Sequence, residues 1–174
     1  MSLIEVLMLY EDTFRYEPKD ILNPITINIG ERKLIDYYKI DPKNRAKYSG
    51  YVYSMGIQLD SPYAEILIEY RYKGAVYPVL GSAWSLYDAK LVQPNPKGLF
   101  VSNYDEENNN YYVFYTPYRG LVFWDEIKVY VIPTNEPTTV KWYSRLFLIF
   151  DKEKIDKIIS KWVGNVFALG GAKQ

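Results

Sequence analysis

Glu65 and Glu69, four apart in an alternating run, and the adjacent pair Asp125-Glu126 are the carboxylates whose type suits acid and base work. Glycoside hydrolysis needs two such groups roughly 5 to 9 Å apart across a cleft. Four residues along a strand span about 13 Å, so Glu65 and Glu69 cannot share one bond, and a solvated sheet face beside Arg71 is the plainer reading. A hydrolase or lyase would draw on Glu65, Glu69 and Glu126. The stretch Tyr104, Asp105, Glu106, Glu107, Asn108 offers oxygen ligands for calcium, but it lacks the sixth-position glycine of an EF-hand, and an exposed hairpin tip is expected there. With no histidine and no cysteine in 174 residues, imidazole bases, thiol nucleophiles, zinc fingers and haem or iron–sulfur ligation have no residues to work with. No cofactor, no metal and no enzymatic activity are expected.

Aromatic side chains are the other chemical resource: 19 tyrosines, seven phenylalanines and four tryptophans. Ring faces stack on sugars and on bases alike, and Trp84, Trp124, Tyr53 and Tyr63 are the candidates for a carbohydrate platform. The tyrosines run along nearly every segment, however, a dispersion that suits large sheets and subunit interfaces, where the ring packs and the hydroxyl tolerates water. Lys plus Arg number 21 and Asp plus Glu 21, so the neutral balance argues against a nucleic-acid binder working by phosphate neutralisation. No run of 18 apolar residues occurs and the start has no basic leader, so neither a membrane span nor a secretory signal is expected. Abundant Lys, Glu, Ile and Tyr beside scarce Gln and Met tilt the composition toward proteins of hot environments.

The elements that must carry these residues are strands. Residues 1–24 read as an N-terminal arm punctuated by Pro18 and Pro24. From Ile25 onward, short runs at 25–29, 33–40, 48–60, 63–73, 76–80, 84–92, 99–104, 111–116, 121–133 and 138–150 are separated by turn residues. Alternation is clearest where Ile66, Ile68, Tyr70 and Tyr72 oppose Glu65, Leu67, Glu69 and Arg71, and where Ile127, Val129 and Val131 oppose Glu126, Lys128 and Tyr130. In 138–150, Val140, Trp142, Leu146, Leu148 and Phe150 share one parity. With no helical spacers between strands, a βαβ sheet is excluded. The reading is all-β: an antiparallel jelly-roll β-sandwich of about eight strands over 25–150.

After the last strand the period becomes helical. Ile155, Ile158, Ile159, Trp162, Val163, Val166 and Phe167 follow i, i+3, i+4, i+7 spacing, with Lys154, Lys157 and Lys161 opposite. A C-terminal amphipathic helix over 151–169 follows, capped by Asp151 and stopped by Gly170-Gly171, with 170–174 as a tail. This helix can close its own sandwich, seat on a neighbouring copy or rest on a membrane surface. The apolar arm has the same options, so Leu7, Leu9, Ile155, Ile159, Trp162 and Val166 are the candidate assembly contacts. Residues 1–24 carry a balance of −3 and residues 151–174 one of +2, which permits head-to-tail contact between copies.

The segments PYAEILIEYRYKG (62–74), PYRGLVFWDEIKVYVIPTNEP (117–137) and TTVKWYSRLFLIFDKE (138–153) resemble strands and final helix of the single jelly-roll capsid proteins of icosahedral viruses, those of tailless viruses infecting heat-loving archaea above all. The resemblance is one of pattern and spans about residues 25–169. It implies a non-enzymatic virion subunit that forms homo-oligomers, contacts other virion proteins or a membrane, and resides in a particle assembled in the host cytoplasm. It offers no catalytic residues. The alternatives are a carbohydrate-binding module and a carboxylate hydrolase.

Overall fold

Period-two burial sets the architecture. In the computed structural model, which describes residues 14–93, 100–115, 121–158 and 160–161, the strand β5 (Glu65–Tyr72) buries Ile66 and Ile68 while Glu65, Leu67 and Glu69 face outward, as its alternation requires. The other strands are β1 (Phe14–Ile21), β2 (Ile25–Ile27), β3 (Lys33–Lys39), β4 (Tyr48–Leu59), β6 (Ala75–Gly81), β7 (Phe100–Asp105), β8 (Asn110–Tyr115), β9 (Leu121–Phe123), β10 (Glu126–Ile132) and β11 (Thr138–Asp151). They form two antiparallel sheets. One has the order β1-β11-β4-β8-β7, with β2 also on β11 and β9 also on β4; the other has the order β3-β10-β5-β6. Pairing is nested: β1 with β11, β3 with β10, β4 with β8 and β9, β5 with β6. Ile27, Val52, Leu59, Ile68, Phe123, Val129, Val140 and Phe147 from both sheets fill the space between them.

Three departures from the sequence reading have physical causes. Residues 14–21, expected within the arm, are a full strand paired with β11 from Phe14↔Phe150 to Ile21↔Tyr143. Its inward parity includes Glu17 and Lys19, so no hydrophobic alternation announces it; inward-pointing charges are one way sheets guard an edge. The 84–92 run, expected as a strand, begins instead with a short helix, α1 (Ala83–Asp88), after Gly81 ends β6. Ser82 caps it reciprocally, its Oγ accepting from Ser85 N while Ser85 Oγ accepts from Ser82 N. In β11 a register shift between Val140 and Trp142 moves the parity: Tyr143, Phe147 and Ile149 join Val140 in the core, and Trp142 lies on the outer face against Phe114.

Asp36 pins the two sheets where β1 and β3 meet. Its carboxylate, 2% exposed, accepts from Lys19 Nζ (2.6 Å), Tyr143 Oη (2.9 Å) and Arg145 Nε (2.9 Å). Arg145 also donates to the Glu17 carbonyl and lies over the Phe147 ring at 4.2 Å. Burial pushes the Asp36 carboxyl up, but the bonds from Arg145 and Lys19 outweigh it and hold it below the ordinary carboxylate range. Burial, then the same carboxylate, pushes the Tyr143 hydroxyl well above its usual value.

Residues 152–158 and 160–161 are helical and form α2. Asp151 caps the helix as expected, accepting from Glu153 N (3.0 Å) and Lys154 N (3.3 Å). Ile155 is half-buried there. Leu7, Leu9, Ile159, Trp162 and Val166 lie outside the described residues.

Candidate functional site

The strands begin and end at two poles. At the lower pole β4 starts, β3 and β5 end and β10 starts; the upper pole holds the opposite ends, about 35 Å away along the twelve residues of β4.

At the lower pole, Lys39 ends β3, Arg45 follows the 3-10 turn Pro42–Asn44, Arg71 lies near the end of β5, and Asp125-Glu126 lead into β10. Backbone bonds from Ile40 N to Asp125 O and from Trp124 N to Arg71 O, 2.8 Å each, tie these segments together. The five charged side chains line a cleft of about 220 Å³. Arg45 Nε pairs with Asp125 at 3.1 Å, and Arg71 Nη2 with Glu126 at 3.4 Å. Lys128 approaches Glu126 at 3.6 Å, and Tyr37 Oη donates to it at 3.0 Å. Burial pushes the Glu126 carboxyl up, yet the Tyr37 bond and the Lys128 and Arg71 charges hold it below its usual value. Arg71 Nε is shut off from solvent and has no hydrogen-bond partner among the described residues. Lys152 Nζ sits 4.6 Å from the centre of the Trp124 ring, and Tyr72 meets that ring edge-on at 5.0 Å. Three lining cations against two carboxylates leave the cleft with excess positive charge, fit for an anionic group.

The upper pole is aromatic and acidic. Trp84 on α1 lies 6.2 Å from Tyr63, Tyr87 stacks on Tyr104 at 4.6 Å, and Tyr104 meets Tyr111 at 4.8 Å. Burial, then Glu106, pushes the Tyr104 hydroxyl up to about 12. The β7–β8 hairpin tip carries exposed Glu106 and Glu107 beside Asp105, whose carboxylate accepts from Asn108 N and Nδ2. The oxygen-rich loop of the sequence is this turn. Among the described residues no three acidic side chains converge at metal distance.

Of the four platform candidates, the structure brings Tyr63 and Trp84 together. Trp124 sits at the other pole, and Tyr53 stands exposed on β4 away from both. The candidate carboxylates are also dispersed along the outer face of the four-stranded sheet. Glu69 is held by Arg32 at 2.8 Å, Glu65 is opposite Ile132, and Glu126 belongs to the cleft. Sequence reasoning named Arg71 and the adjacent pair Asp125-Glu126 but missed the cleft, because its members come from four segments with no fixed spacing.

On that face Leu80, Leu67, Tyr130 and Leu34 stand opposite one another strand by strand, forming an apolar row across all four strands. Leu80 is 57% exposed and Leu34 44%. Two antiparallel sheets packed as a sandwich, with a cationic cleft at one pole and an aromatic, acidic tip at the other, define the class of this protein. The chain matches no family model and no curated protein.

Proposed function

We propose that the chain is a jelly-roll structural subunit without chemistry of its own, which assembles with copies of itself in a virus particle alongside other virion proteins. The nested pairing supports the jelly-roll reading: a long hairpin folded as β1 with β11, β3 with β10, β4 with β8 and β9, and β5 with β6, then rolled into two sheets, gives that topology. The observation that carries assembly is the apolar row Leu34, Tyr130, Leu67, Leu80, about 14 Å across at the usual strand spacing, open to solvent at both ends. Neutral net charge lets identical copies approach without mutual repulsion.

Sedimentation of the purified chain tests this. Trimers or larger species are expected, and Leu34→Glu with Leu80→Glu, both at exposed positions, should shift them toward monomer without loss of β signal in circular dichroism. A chain that stays monomeric at high concentration ends the reading. A second reading, a carbohydrate-binding module, is favoured by one observation, the exposed Tyr63 and Trp84 pair with Tyr87 nearby on α1.

A further inference from the structure

We infer that the cationic cleft at the lower pole receives the acidic β7–β8 hairpin tip of a second copy of this chain, joining subunits head to tail. The inference rests on the assembly reading and names the contact within it. The receptor side is the cleft, where Lys39, Arg45 and Arg71 outnumber Asp125 and Glu126. Arg45 is neutralised by Asp125, and Glu126 is shared between Arg71 and Lys128. That sharing leaves positive charge in the cleft uncompensated. A carboxylate entering the cleft would balance that charge against the exposed Lys39 and Arg45 heads.

The occupant follows from charge complementarity at the opposite pole. Residues 100–115 contain no basic side chain, and their turn projects Glu106 and Glu107, both exposed and neither held by an ion pair among the described residues. Lys141 meets the tip only at its far side, donating to the Asn109 carbonyl (2.9 Å) and Asn110 Oδ1 (2.6 Å), and so braces the turn without covering either glutamate. A two-residue projection on a hairpin tip can enter a cleft of about 220 Å³. Because donor and receptor lie at opposite poles of one molecule, the contact is heterologous: it closes into a ring if the rotation between copies permits and otherwise extends as a chain. Charge pairs of this kind govern encounter rate and register more than final affinity.

Charge reversal separates this contact from the assembly reading. Glu106→Lys with Glu107→Lys, and separately Lys39→Glu with Arg45→Glu, should each weaken self-association at least tenfold in sedimentation at low salt. An equimolar mixture of the two variants should recover it, since each then offers what the other lacks. Lys39→Ala with Arg45→Ala provides a milder receptor variant should the reversed one fold poorly. If the wild-type chain assembles and neither reversal changes its association, the head-to-tail contact is refuted while assembly stands. If the wild-type chain is monomeric in dilute salt, both fall.

Discussion

Replacing Asp36 by Asn keeps the size of the side chain and removes its charge, leaving Arg145, 6% exposed, without its carboxylate. Breaking a buried pair by removing one partner costs about 3 to 5 kcal/mol, because the remaining charge stays out of water. Lys19, 36% exposed, can turn to solvent, so the cost falls on Arg145 and on the Tyr143 hydroxyl. For a chain of this size the loss corresponds to a melting temperature lower by roughly 6 to 20 °C. Urea unfolding followed by tryptophan fluorescence measures it, with the slope checked for two-state behaviour. The triple change Asp36→Leu, Tyr143→Phe, Arg145→Met removes the polar partners together and should cost far less than Asp36→Asn alone. The pH dependence has a fixed sign. Since the folded Asp36 carboxyl titrates below its unfolded value of about 3.9, its contribution is present above that value and is lost as pH falls through the lower folded one. A cost for Asp36→Asn below about 1 kcal/mol, or a triple variant as damaged as the single one, would refute the account of this cluster as the pin between the sheets.

Gly50→Ala should destabilise the fold by at least about 1 to 3 kcal/mol, read by thermal melting, because a Cβ there would lie 2.0 Å from the Phe123 ring, which is fully buried in the core; a neutral result would mean that Phe123 is free to move. For the carbohydrate reading, retardation on a polysaccharide gel should be abolished by Trp84→Ala and unaffected by Trp124→Ala, since only the former stands beside Tyr63. Equal mobility with and without polysaccharide removes that reading.

Alternation at 65–72 and 126–131 is enough to specify strands with Ile66, Ile68, Ile127, Val129 and Val131 inward, because a period of two leaves a strand only one face to bury. Asp151 as a helix cap was equally legible, since capping is settled within four residues. The β1 strand was not, because its inward charges depend on Asp36 and Arg145, which lie far away in sequence. Nor was the shift of face in β11, which local hydrophobicity leaves ambiguous and the packing of Trp142 against Phe114 resolves. The cleft and the apolar row belong wholly to tertiary structure. Local residue order determined which stretches are strands; only the pairing of strands, a long-range choice made by the core as a whole, decided that Lys39, Arg45, Arg71, Asp125 and Glu126 face one another and that Leu34 stands in line with Leu80.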